Sequence, residues 1–172
     1  NKSTLVQEVS PKLIRKSSPI AQVNGSTNII AIEGDEIGTT VFSGPGAGMG
    51  PTASSVVSDL VAIASRKSKS TFLTSDKISG TKKYKPISKK SSFYLRFILK
   101  DKPGVIARLS EKLSSCGISI NQMKQKPLAN QKATLIMTTH KTLQENLEKA
   151  LSDIKRLGIC EQRPVCIEIQ DI

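Results

Sequence analysis

The sequence has no tryptophan, 3% aromatic residues and one histidine. A core built from it must rest on Ile, Leu, Val and Ala. Cys116, Cys160 and Cys166 are odd in number and lack the paired Cys/His spacing of a zinc site. They read as reduced core residues, and no metal site is expected. His140 stands alone after a Thr-Thr strand end and reads as a surface residue. No apolar run approaches the roughly 18 residues a membrane span requires. The chain therefore reads as soluble and cytoplasmic, with no membrane partner. Asn1 occupies the first position and no charged-then-apolar leader follows it, which suits a piece of a longer chain.

Charge of one sign is also scarce, except in one place. The net charge of +12 suggests a nucleic-acid footprint until it is located. Residues 1 to 65 carry 4 basic and 5 acidic groups, residues 66 to 90 carry 9 and 1, and residues 91 to 172 carry 13 and 8. Most of the excess thus lies in 25 residues rich in Ser, Thr and Lys with no apolar period. Such a stretch reads as a solvated linker. With only Phe72 and Tyr84 as stacking groups, it points to no specific nucleic-acid partner. The expected organisation is a segment at 1–65, a basic linker at 66–90 and a second domain at 91–172.

In the first segment, Asn28–Ile32 and Thr39–Phe42 read as two strands joined by a Gly34-Asp35-Glu36 turn. Ala53, Val56, Val57, Leu60, Ile63 and Ala64 recur at intervals of three and four, the pattern of an amphipathic helix. Pro51 is expected at its first position. Two strands and a helix bury too little to stand alone. Between them lies Gly44-Pro45-Gly46-Ala47-Gly48-Met49-Gly50-Pro51-Thr52-Ala53, a glycine-rich loop that leads into the helix N-terminus. Such a loop exposes backbone N–H groups to a close ligand, or simply makes a tight turn. It misses the GxGxxG dinucleotide spacing, and no acidic residue follows about 20 positions later.

This order of elements, with Asn28, Gly34, Asp35, Gly44 to Gly48, Pro51, Thr52, Ala53, Ser54, Val57, Asp59 and Leu60, resembles the end of the catalytic region of homoserine dehydrogenases. The resemblance implies an enzyme that passes a hydride between NAD(P)H and aspartate semialdehyde. It implies that Gly46, Ala47 and Gly48 lie beside the cofactor, and that a side chain at Gly48 would crowd it. The family's nucleotide fingerprint and catalytic lysine would precede Asn1, and neither Lys12 nor Lys16 matches a catalytic position. No catalytic residue is assigned. NAD(P) is expected in the full-length enzyme, none bound to this piece, and the piece alone is expected to be inactive.

In the last segment, Phe93, Leu95, Phe97 and Leu99 alternate with Tyr94, Arg96, Ile98 and Lys100, as in a strand with one face in a core. Asp101-Lys102-Pro103-Gly104 opens a helix with an apolar stripe from Val105 to Cys116, closed by Gly117. Strands follow at about 118–126 and 132–139, turning around Pro127 and Asn130. A helix carries Leu143, Leu147, Ala150, Leu151 and Ile154, and a last strand carries Val165, Ile167 and Ile169. The fold class is thus α+β: an incomplete α+β segment, then a ferredoxin-like βαββαβ domain.

The pattern of strand, Asp-x-Pro-Gly-Val helix start, and Gly117-Ile118-x-Ile120-Asn121-Gln122 resembles the ACT domain, a regulatory module of amino-acid metabolism. That resemblance implies domains paired side by side, with a small amino acid between the loop of one copy and the second strand of another. Asp101, Gly104, Val105 and Ile106 then form the loop side, and Asn121 and Gln122 the facing side. Free N–H groups at the helix start suit a carboxylate, while Asp101 and Asn121 suit an ammonium. Asp101 equally suits a helix cap, and Asn121 an edge strand facing solvent. Threonine is the effector the resemblance implies, as a feedback inhibitor. The alternative is a ligand-free ACT domain acting only in dimerisation.

Overall fold

The alternation from Phe93 to Lys100 becomes the central strand of a sheet. The computed structural model describes residues 8–65 and 89–170. They fall into two units, one of residues 8–14 with 89–170 and one of residues 15–65. The basic linker reading lies almost entirely outside the described residues.

In chain order the elements are β1 (Lys12–Leu13), a single 3-10 turn at Pro19–Gln22, β2 (Thr27–Gly34), β3 (Gly38–Pro45), α1 (Met49–Ala64), β4 (Lys90–Lys100), α2 (Val105–Ser115), β5 (Ile120–Leu128), β6 (Lys132–Thr139), β7 (Thr142–Leu143), α3 (Gln144–Arg156) and β8 (Val165–Ile169). The larger sheet runs β1-β8-β4-β6-β5, and β7 pairs with the start of β4. Apart from β1 and β7, this is the βαββαβ arrangement, with β4 flanked by antiparallel β6 and β8.

The apolar residues of β4 share one face because side chains alternate along a strand. Leu95 and Phe97 are fully buried there, beside Leu135 and Met137 of β6. Leu109 and Leu113 of α2, four residues apart, and Leu147, Ala150 and Ile154 of α3 cover that face. α2 and α3 also touch each other. Charge placement supports α3: Glu145 lies in its first turn, Lys155 and Arg156 in its last.

Three details depart from the sequence reading. Pro127 lies inside β5, opposite Ala133, and the turn is residues 129–131. β5 is an edge strand, where a missing N–H is tolerated. Pro51 is the third residue of α1, still among positions whose N–H has no helical partner. Cys116 and Cys160 pack against the core, but Cys166 is exposed on β8 and is not a core residue. Burial raises the thiol pKa of Cys160, and burial with the nearby Glu148 raises that of Cys166.

β1 departs furthest from a simple division at the linker. Lys12 and Leu13 run parallel to Glu168 and Ile169 at the edge of the larger sheet. Lys12 Nζ donates to Glu168 Oε2, and Ser91 Oγ of β4 donates to Glu168 Oε1 at 2.6 Å. Burial disfavours the Glu168 carboxylate, but the bonds from Lys12 and Ser91 outweigh it and hold its pKa below the ordinary value. Burial likewise disfavours charged Lys12, whose pKa is nonetheless raised by Glu168 and Glu8.

In the other unit, β2 and β3 form a hairpin from Thr27 opposite Pro45 to Gly34 opposite Gly38. The expected apolar stripe of α1 is present but covers nothing: no residue of α1 is buried, and Leu60 is 60% exposed.

Phe97→Ala should lower the unfolding free energy by about 3–5 kcal/mol, read from urea denaturation followed by circular dichroism. The pH dependence has a defined sign. A carboxylate with a lowered folded pKa stabilises fully above its unfolded pKa of roughly 4.3, and the gain is lost as pH falls through the folded value. A raised lysine stabilises below roughly 10.4 and loses that gain at higher pH. Urea midpoints between about pH 3 and 6 should therefore fall less steeply for Glu168→Gln than for the native chain.

Candidate functional site

β4 delivers its last residue, Lys100, into a short loop before α2. Asp101 N–H donates to Gln131 O at 2.7 Å and Lys100 N–H to Ile159 O at 3.3 Å, which fixes the loop against two neighbouring segments. Gly104 precedes the helix at φ 82°, a left-handed conformation that costs other residues roughly 1–2 kcal/mol. Val105 N–H is taken by Lys102 O at 3.3 Å, whereas the N–H groups of Ile106 and Ala107 have no acceptor among the described residues.

These residues line a cavity of about 350 Å³, within the usual range for small-molecule sites. Its walls include Lys100, Asp101, Gly104 and Ile106, and Leu99, Ala133 and Leu135 contribute apolar surface. Asp101 does not cap the helix. Its Oδ1 instead accepts from Gln125 Nε2 at 3.2 Å, across the cavity from β5. The lining thus combines free amide donors, the cations Lys100 and Lys102 and the Asp101 carboxylate, which suits a small zwitterion.

Four of the six residues expected at an effector site thus come together: Asp101, Gly104, Val105 and Ile106. Asn121 and Gln122 do not border this cavity. Asn121 lies at a bulge between Ile120 and Gln122, and both are exposed on β5, the free edge of the sheet. Gln125, which the sequence reading passed over, borders the cavity instead. Register explains it: Gln125 pairs with buried Leu135 and shares its face, whereas Gln122 pairs with Thr138 on the other. Counting back from the turn at Asn130 would have shown it.

The glycine loop packs closely on the hairpin at one position and is open at another. A Cβ on Gly46 would stand 2.1–2.3 Å from the Asn28 side chain, so the absence of a side chain at Gly46 serves the packing of the loop on the hairpin. Gly46 N–H donates to Ser26 O at 2.8 Å. Gly48 has space, since a Cβ there would meet only Pro51 Cδ at 3.6 Å. Its φ of 125° is what favours glycine. Gly48 O accepts from the Thr52 hydroxyl at 2.8 Å, and no side chain caps α1. Gly48 therefore presents backbone without a side chain at the position just before the helix.

Among the described residues no group of three or more His, Cys, Asp or Glu is placed to hold a metal. No helix of the described chain is long and apolar enough to cross a membrane. His140 is exposed, with its N–H on Ser119 O at 2.9 Å.

Comparison with known proteins places both segments. Residues 2–61 match the homoserine dehydrogenase family model, and residues 93–159 match the ACT domain model. The chain is 32% identical to a homoserine dehydrogenase of Helicobacter pylori over 95% of its own length and 39% of the relative's. It is 34% identical to one of Pseudomonas aeruginosa, covering 87% and 36%. The crystal structure of a homoserine dehydrogenase from Thiobacillus denitrificans superposes with a TM-score of 0.74 at 31% identity, covering 94% of this chain and 38% of that one. The chain thus spans under two fifths of the length of these relatives. Residues 2–61 are thus a homoserine dehydrogenase-family segment, and residues 93–159 are an ACT domain.

Proposed function

We propose that the chain is the C-terminal regulatory part of an NAD(P)-dependent homoserine dehydrogenase. The enzyme interconverts L-homoserine and L-aspartate 4-semialdehyde, and its ACT domain binds threonine as a feedback inhibitor. The observation that carries the regulatory reading is the cavity at the start of α2, lined both by residues with unpartnered amides and by a carboxylate held by Gln125. A threonine carboxylate would take the Ile106 and Ala107 amides near Lys100 and Lys102, and its ammonium would take Asp101. A helix N-terminus supplies about 0.3–1 kcal/mol toward an anion. Most affinity must then come from hydrogen bonds closed off from water. Asn121 and Gln122 on the free edge would provide that closure from a second copy, since β1 already occupies the other edge of the sheet.

The catalytic reading rests on residues 2–61. Gly46, Ala47 and Gly48 would border NAD(P), which supplies the hydride. The backbone of the loop is bare enough for close approach. The exposed apolar side chains of α1 and of the hairpin, Leu60 and Phe42 among them, suit packing against the rest of such an enzyme. This chain's own glycine loop lacks the GxGxxG spacing, so the nucleotide pyrophosphate would be held elsewhere. The purified 172-residue chain should accordingly show no homoserine oxidation above background in an NAD(P)H absorbance assay.

Calorimetric titration of the chain with threonine, methionine and isoleucine tests the effector site. Saturable heat is expected with threonine. Asp101→Ala should weaken it by about 10- to 100-fold, the loss of a charge-assisted hydrogen bond of roughly 1.5–3 kcal/mol. Absence of heat from a chain that still self-associates would support an ACT domain acting in dimerisation alone.

A further inference from the structure

The strand β1 joins two parts of the molecule that the basic linker would otherwise connect alone. Its residues lie within the stretch matched by the dehydrogenase family, yet they pair with the last strand of the ACT sheet. Only Ile14 separates Leu13 from Arg15, where the other unit begins. From residue 65 to residue 89, by contrast, the chain runs through the whole Ser/Lys-rich stretch.

The attachment is more than a two-residue ladder. Gln170 N–H donates to Leu13 O at 2.9 Å, continuing the pairing past β8. Both oxygens of Glu168 are engaged, one by Lys12 from β1 and the other by Ser91 from β4. The side chains of Lys12 and Glu168 retain only 17% and 16% of their exposure. Lys12 also meets Glu8 Oε1 at 2.7 Å, which accepts from Ser10 Oγ as well. A pair this sheltered resists salt screening, and removing one partner strands the other in a place where a lone charge is costly.

The position of Ser91 gives the cluster its meaning. It sits near the start of β4, whereas Lys100 and Asp101 at the other end border the effector cavity. One central strand, roughly 33 Å long at 3.3 Å per residue, therefore touches the cavity at one end and the Glu168–Lys12 pair at the other. Rigid secondary elements of this kind carry coupling when both ends favour the same one of two arrangements.

We infer that Lys12 and Glu168 form a coupling latch, through which occupancy of the ACT cavity reaches the dehydrogenase-family segment by way of β4, β8 and β1. The inference rests on the effector reading above. Lys12 is in this scheme a positioning residue, outside both the effector cavity and the glycine loop.

The test uses the dehydrogenase polypeptide that contains this chain, assayed for homoserine oxidation across a threonine series, with Lys12→Met and Glu168→Gln as variants. The expected result is an uninhibited rate within twofold of the native enzyme and a maximal inhibition by threonine that is strongly reduced or abolished. Threonine binding heat should be unchanged, because the latch lies beyond the cavity. The conservative Lys12→Arg should keep native inhibition, and the exchanged pair Lys12→Glu with Glu168→Lys should regain part of it. Native inhibition in both single variants overturns the latch and leaves the effector reading intact. Loss of threonine heat in the variants also overturns it, by reducing Lys12 to a fold-supporting residue. A native enzyme that ignores threonine overturns the effector reading and the latch together.

Discussion

Strand β4 has to satisfy a core below it and neighbours on both sides. Phe93, Leu95, Phe97 and Leu99 face α2 and α3, while β6 and β8 take its backbone along most of its length. An aromatic-poor sequence places two of its four phenylalanines on this one strand. Burying a side chain of that size stabilises by about 1.5–3 kcal/mol. With Leu135 and Met137 of β6, this strand forms the apolar face that the two helices cover, and so decides where they lie. Its two ends carry the polar contacts: the cavity borders Lys100, and Ser91 bonds Glu168.

The ends carry opposite chemistry. At the Lys100 end the backbone leaves the sheet through left-handed Gly104 and leaves the Ile106 and Ala107 amides without an acceptor among the described residues. At the Ser91 end it closes around a carboxylate that is already neutralised by Lys12. The first end is built for an incoming charge and the second for a resident one. That asymmetry explains why Asp101 is exposed, held by one amide of Gln125, while Glu168 is sheltered with both oxygens bound.

How much of this could be read from residue order varied with the range of the interaction. The βαββαβ order, β6 and β8 were legible because each depends on a period of 2 or 3.6 within one element. Gly104 was legible as a helix entry because local sterics set it. Gln125 was harder, since its place depends on cross-strand register set by the turn at residues 129–131. β1 was not legible: Lys12-Leu13 has no strand length of its own and pairs with residues more than 150 positions away. The role of Gly46 was hidden for the same reason, because its neighbour Asn28 lies on another strand. In α1 the period was read correctly, but a period reports a face that can be buried and not what buries it.

That bare helix has a calorimetric meaning. Heat-capacity change on unfolding follows the apolar surface newly exposed, about 12–15 cal/mol/K per residue in an ordinary domain. Residues 15–65 bury no large apolar side chain, so their unfolding adds little to that quantity. The described residues should then contribute the heat-capacity step of a domain of about 80 residues, near 1 kcal/mol/K, well below what their number implies.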